Sequence, residues 1–432
     1  MLTSCALWCC ALTGNAQAPT PYTPTAENLK ARATFEDNRF GVFLHWGLYS
    51  LFAQGEWYMT NDNINYHEYA KSAEAFYPHN FDAAKWVSAI KAAGARYICF
   101  TTRHHDGFSM WDTDCSTYDI EHTPYGKDIL RQLADECHRQ GIKLHLYYSL
   151  LDWTREDYPI GRTGQGTGRK GQADWASYYD FMKCQLRELL TRYGTVDCIW
   201  FDGVWDHDRD STFDWQLEGL YSLIHELQPA CLVGNNHHLA PFPGEDIQIF
   251  ERDVPGENKA GLSGQAIGHL PLETCQTMNG MWGYKIKDQN YKSPATLLQL
   301  LARTAAKGAN LLLNIGPQPD GSLPDTALSR LQSIGTWLDK HGDAIYGTTA
   351  GDVHQGDSIV STRKGDRLFV HILSPKIKEF TLPLKGKVSS VTSFPDGNDV
   401  EYTAHHEQIE IRELDIPQNC PDYIIEIKFR LH

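Results

Sequence analysis

Ile199-Trp200-Phe201-Asp202-Gly203 is an apolar run that ends in a carboxylate, and the glycine behind it lets the chain turn away at once. A charge at the end of a buried strand is costly unless it has a task. Seven further strand-like runs flank it, so the set reads 41–45, 97–102, 143–148, 197–202, 231–234, 247–251, a weak one near 269–273, and 310–315. Between them apolar residues fall at helical spacing. Trp86, Val87, Ile90 and Ala93 precede Gly94, and Met182, Leu186, Leu189 and Tyr193 precede Gly194. Leu297, Leu300, Leu301 and Thr304 precede Gly308, while Leu331, Ile334 and Leu338 precede Gly342. Strands that are apolar almost throughout, alternating with helices over about 300 residues, predict an α/β fold: a TIM-like (β/α)8 barrel rather than an open sheet.

The period changes after about residue 350, where helical spacing gives way to alternation. Ile425, Ile427, Phe429 and Leu431 alternate with Glu426, Lys428, Arg430 and His432, and Ile409 and Ile411 with Glu410 and Arg412. A small C-terminal antiparallel β-sandwich over 351–432, behind a barrel over 19–350, is the expected organisation. At the other end the apolar run 6–12 is followed by Ala16-Gln17-Ala18. That pattern reads as a signal peptide over 1–18, which predicts an exported protein, periplasmic or secreted. Lipid anchoring through Cys5, Cys9 or Cys10 is the less favoured alternative.

The 432 residues carry 39 Lys+Arg against 54 Asp+Glu, a formal net charge of −15, so the summed field repels nucleic acid and anionic lipid. No run reaches the roughly 18–20 apolar residues of a membrane span. Outside the leader, none of the remaining cysteines forms a CxxC pair. Cys99 and Cys198 fall in strands and Cys137 and Cys184 on helix faces, so neither a zinc nor a disulfide framework is signalled.

In a barrel the active site lies at the C-terminal ends of the strands. Polar and aromatic residues gather there: His45-Trp46, Arg103-His104-His105-Asp106, Tyr147-Tyr148, Asp202, Asn235-Asn236-His237 and Glu251. Glu251 ends an apolar strand as Asp202 does, which directs both acids to one cleft. A carboxylate pair is what glycoside hydrolysis uses, one member as charged nucleophile and the other as proton donor. Glu56-Trp57-Tyr58, Trp111 and Trp282-Gly283-Tyr284 supply aromatic faces suited to the C–H patch of a sugar ring. His104 and His105 invite a metal, yet metal-dependent barrel hydrolases place an alternating His pair after the first strand, where this chain has only His45 before Trp46. Neither a metal nor another cofactor is expected. A G-x-S-x-G elbow is missing, which disfavours a serine acyl-enzyme.

Four segments in order, Phe43-Leu44-His45-Trp46-Gly47, Thr102-Arg103-His104-His105-Asp106-Gly107-Phe108, Trp200-Phe201-Asp202-Gly203 and Asn310-Leu311-Leu312-Leu313-Asn314-Ile315-Gly316-Pro317, resemble the signatures of the glycoside hydrolase family 29 α-L-fucosidases. The resemblance implies a retaining exo-hydrolase that removes terminal α-L-fucose from a fucosylated oligosaccharide or glycoconjugate through a covalent glycosyl-enzyme. It assigns the nucleophile to Asp202 and sugar contacts to His45, Glu56, Trp57, His104, His105, Tyr147 and Trp200. The family's acid/base lies after the sixth strand, where Glu251 fits best and Glu257 and Glu273 are rivals. Many relatives carry an N-D-R-W-like segment whose Arg contacts the sugar; here Asn235-Asn236-His237-His238 stands instead, and His237 is the candidate replacement. Two rival readings share the scaffold: a catalytically silent fucose- or galactose-binding protein, and a retaining glycosidase for another sugar. The fucosyl linkage is set by loops such as 161–171 and 255–268 and stays open.

Overall fold

A computed structural model of the protein describes residues 22–383, 386–405 and 407–430. The signal peptide expected over 1–18 lies outside the described residues. Eight parallel strands form one curved sheet: β1 (Phe40–Leu44), β2 (Tyr97–Arg103), β3 (Lys143–Ser149), β4 (Cys198–Asp202), β5 (Leu232–Asn236), β6 (Gln248–Glu251), β7 (Leu272–Thr277) and β8 (Ala309–Ile315). The order β5-β4-β3-β2-β1-β8-β7-β6 brings the two edges together, and a parallel bridge between Gly234 and Ile247 closes them into a barrel.

The strands are apolar on both faces because both are covered. On β4 the side chains of Ile199 and Phe201 point out to the helices, while Cys198 and Trp200 join Phe43, Tyr97, Tyr147, Leu232, Ile249 and Leu312 inside. Helices Ala83–Ala92, Ile129–Gln140, Trp175–Arg192, Leu217–Leu227 and Pro294–Ala306 cross between strands, and Asp325–His341 follows β8. The connections from β5 to β6 and from β6 to β7 contain no helix, so the regular eightfold alternation expected from the sequence is broken there. Helix Ala26–Asn38 closes the N-terminal end of the barrel, with the Phe35 ring against Tyr97 and His145.

The seventh strand starts three residues later than the sequence suggested, because Thr274, Gln276 and Thr277 break the apolar run that marks the others. Cysteines also behave differently from expectation. Cys184, on helix Trp175–Arg192, is disulfide-bonded to Cys115 in the connection after β2, across a sequence separation of 69. Helical spacing alone could not show that partner. The Glu188 carboxylate pins the same connection, accepting from Trp111 Nε1, Thr113 Oγ1 and the Asp114 backbone N–H at 3.1, 2.6 and 2.8 Å.

Eight further strands make two antiparallel sheets at the C-terminus: β9 (Thr349–Gln355), β10 (Ile359–Lys364), β11 (Arg367–Ile372), β12 (Phe380–Pro383), β13 (Val388–Phe394), β14 (Tyr402–His405), β15 (Gln408–Ile411) and β16 (Tyr423–Phe429). The orders are β13-β16-β11-β10-β9 and β12-β15-β14. Val370, Ile372, Leu382, Ile409, Ile411, Ile425 and Ile427 fill the core between them. Ala302 and Ala306 of helix Pro294–Ala306 meet Val360 and Leu373, which seats the sandwich on the barrel.

Candidate active site

Strand register assembles the site. Ser149, Asp202 and Asn236 are paired across β3, β4 and β5, so their side chains stand at one level, and Glu251 ends β6 beside Cys275 of β7. Alternation does the rest. Along β4 the inward parity of Cys198 and Trp200 continues to Asp202, and along β6 that of Ile247 and Ile249 continues to Glu251. The cleft above them holds about 220 Å³. That is below the roughly 300–1,000 Å³ of sites for drug-sized ligands and suits a single sugar ring.

Three donors orient Asp202. Tyr147 Oη donates to Oδ2 at 3.0 Å, while Trp205 Nε1 and Asn236 Nδ2 donate to Oδ1 at 2.9 and 3.4 Å. The same Asn236 Nδ2 lies 2.9 Å from Glu251 Oε2. The Asn236 amide therefore bridges the two carboxylates, which face each other across one cleft. His238 Nε2 approaches Glu251 Oε2 at 3.0 Å from the other side.

Burial, and then the Glu251 charge, push the Asp202 carboxyl up to about 6 against its donors. Burial also works against a charged Glu251, but hydrogen bonds from His238 and Asn236 outweigh it and hold Glu251 below the usual carboxylate range. Burial keeps three imidazoles neutral: His45 is lowered to about 3, and His104 and His105 fall well below the ordinary value. For His45 and His105 the tautomer follows from the group behind the ring. Asn314 Nδ2 donates to Trp282 O at 2.8 Å, so its Oδ1 accepts from His45 Nδ1 at 2.7 Å and leaves His45 Nε2 as an acceptor. Ser149 Oγ donates to Leu151 O at 2.7 Å and accepts from His105 Nδ1 at 2.7 Å, so His105 Nε2 also presents a lone pair, 3.6 Å from Asp202 Oδ2. Two acceptors that face each other without a proton call for a hydroxyl group. Aromatic faces complete the walls: Trp282 lies near His45, and Trp57 stacks on Trp205 with centroids 5.7 Å apart.

Residues 9–343 match the alpha-L-fucosidase family profile. This chain belongs to the alpha-L-fucosidase family of glycoside hydrolases. The alpha-L-fucosidase of Dictyostelium discoideum is 28% identical over 364 residues, covering 76% of this chain and 75% of that protein. Among solved structures, alpha-L-fucosidase isoenzyme 1 of Paenibacillus thiaminolyticus is 32% identical, covers 94% of this chain and 100% of its own, and superposes with a TM-score of 0.83. The Thermotoga maritima alpha-fucosidase in complex with a mechanism-based inhibitor is 26% identical over 94% of this chain and 100% of its own, with a TM-score of 0.75.

Within this fucosidase-family barrel, His45, Trp57, His104, His105, Tyr147, Trp200, Asp202, Glu251 and Trp282 all line the one cleft. The other expected residues stand elsewhere, for identifiable reasons. Glu56 is buried behind the wall, where its Oε2 accepts from the Gly283 backbone at 2.7 Å and so holds the Trp282 loop. Glu273 is the second residue of β7, at the wrong end of the strand for the cleft, and it accepts inside the barrel from Tyr97 Oη at 2.6 Å and Trp200 Nε1 at 2.8 Å. Glu257 faces the sandwich and pairs with Arg303 and Lys259. Trp111 is fully buried against Glu188. His237 has outward parity after Asn236: its Nε2 bonds to Glu245 at 3.0 Å, so it is His238 that reaches the cleft.

The sequence did not single out Arg162, Trp205 and His238 as lining residues, and Asn236, gathered with the strand-end residues, lines the cleft without having been given a role of its own. Parity marks Asn236, two residues after Gly234 on the inward face. Nothing local marks His238, whose φ of 64° is left-handed and turns its ring back over the barrel mouth.

Proposed function

We propose that the protein is a retaining exo-α-L-fucosidase in which Asp202 is the nucleophile and Glu251 the acid/base. The observation that carries this reading is the Asn236 amide, 3.4 Å from one carboxylate and 2.9 Å from the other, which bridges the two acids within one cleft as a carboxylate pair. Ionised Asp202 attacks the anomeric carbon and forms a glycosyl ester while Glu251 protonates the departing oxygen; the same Glu then takes a proton from water, whose oxygen breaks the ester. Two inversions leave the anomeric configuration unchanged. Neutral His45 and His105 accept from sugar hydroxyls, and the Trp57 and Trp282 faces cover the C–H patch. A fucosylated oligosaccharide or glycoconjugate is the substrate that the family membership supports.

Hydrolysis of nitrophenyl α-L-fucoside by the chain lacking residues 1–18, with and without EDTA and with the product followed by NMR, tests the assignment. Release of the α-anomer first, insensitive to EDTA, is the expected result. A β-anomer product would overturn the retaining pair, and failure on both aryl fucosides and natural fucosylated glycans would leave the sugar-binding reading in its place. We also propose export through the N-terminal signal, supported by the disulfide, which belongs to oxidising compartments. A mature protein whose N-terminus is found intact would refute it.

A further inference from the structure

His238 has no part in the chemistry so far, yet the chain adopts a left-handed φ of 64° at this non-glycine position to hold it in the cleft. Its Nε2 lies 3.0 Å from Glu251 Oε2, with both side chains largely buried at 21% and 14% exposed. Resting on the assignment of Glu251 as acid/base, we propose that His238 is its positioning and proton-holding partner, the two sharing one proton along this hydrogen bond.

The proton count gives the pair its purpose. Glycosylation needs Asp202 ionised and Glu251 protonated. The empty cleft favours a different arrangement: burial opposes a charged imidazole, but hydrogen bonding to Glu251, its charge and that of Asp202 raise His238 above the ordinary 6.5. Cationic His238 with anionic Glu251 carries the same number of protons as neutral His238 with protonated Glu251. One transfer from Nε2 to Oε2 converts the first state into the second, with no proton drawn from solvent. Substrate drives that transfer, because covering the cleft removes water from an ion pair and favours the neutral pair. Glu251 then gives the proton to the leaving oxygen, which departs as an alcohol. In the second step Glu251 takes a proton from the attacking water, and the pair regains what it lost.

The charged neighbours are consistent with this balance. Asp202 on β4 favours the His238 cation and Arg162, from the connection after β3, opposes it. Arg252 Nε lies 3.9 Å from Glu251 Oε1. His45 in the cleft and Glu56 behind its wall also feel the Glu251 charge, but burial favours the neutral form of both.

Two measurements test the pair. First, the His238 ring is titrated by NMR in the wild type and in Glu251→Gln. The expected result is a pKa above 6.5 that falls by about one unit or more in the variant; an unchanged pKa overturns the proposal, whether or not any fucoside is cleaved. Second, pH profiles of kcat/KM are compared for His238→Gln, and for His238→Asn, which tolerates the left-handed backbone. Poorly activated fucosides should lose about 10²-fold, while dinitrophenyl fucoside, whose leaving group needs no proton, should change less than about threefold. The alkaline limb should move to lower pH because Glu251 must then hold the proton alone. Equal loss on both substrates with an unmoved limb would reduce His238 to packing. Absence of fucoside cleavage by the wild type would instead strike the underlying assignment, with the NMR titration still deciding the pair.

Discussion

Tyr147, Trp205 and Asn236 all donate to Asp202, yet burial beside Glu251 still leaves its carboxyl at about 6. Two consequences follow at this residue. Turnover needs the ionised form, so kcat/KM should fall as pH drops through about 6, and Trp205→Phe, which deletes a donor, should move that acid limb upward. An unmoved limb would show that another group sets it. The second consequence concerns stability. A folded pKa above the unfolded 3.8 means that the native state holds the proton more tightly, so stability declines as pH rises from 3.8 to about 6 and the full penalty persists above that. Asp202→Asn removes the penalty. It should abolish turnover, by about 10³-fold or more, while raising unfolding free energy at pH 7 by on the order of 2 kcal/mol. Denaturant titration of both proteins at pH 7 and at pH 4 checks the sign, since the gain should shrink at pH 4.

At the scale of the strand, parity turns Asp202 into the cleft and the chain leaves β4 immediately after it. Gly203 turns with φ of 108°, and a Cβ there would lie 3.1 Å from the Leu151 side chain and 3.2 Å from its backbone nitrogen. Gly203→Ala should therefore destabilise by about 1–3 kcal/mol from backbone conformation and crowding, and lower kcat through a displaced carboxylate. Wild-type stability and kcat in that variant would show that the turn has slack. This coupling of parity and turn explains what the sequence could and could not disclose. Strands apolar on both faces announced the barrel, and a carboxylate of inward parity at the strand end announced Asp202 and Glu251. Strand β7 was misplaced because polar inward residues such as Thr277 interrupt its pattern, and Glu273 was consequently credited to the wrong end. His237 and His238 were exchanged because His238 itself takes a left-handed φ that turns its own ring back over the mouth, and no periodicity records it. Arg162 comes from the long β3 connection, whose one short helical turn at Gln165–Thr167 lies beyond it, so spacing carries no directional information there.

Across the whole molecule, two devices hold distant parts of the mouth. On one side Lys259 and Arg303 bind Glu257 of the β6–β7 connection together with Asp357 of the sandwich, so the loop that brings Leu262 to the cleft is braced from the C-terminal sheets. On the other, the Cys115–Cys184 disulfide fastens the β2 connection to helix Trp175–Arg192. Neither cysteine lines the cleft, so the bridge acts on the folding equilibrium and not on the chemistry. Closing a loop of this length restricts the unfolded chain, with a typical contribution of about 2–4 kcal/mol. Cys115→Ser, or mild reduction of the wild type, should lower the unfolding free energy by that amount while leaving kcat/KM within about twofold at temperatures where the fold persists. If the variant kept full stability the bridge would be dispensable. If instead activity collapsed with the fold intact, the β2 connection that carries His104 and His105 into the cleft would depend on the disulfide for its shape.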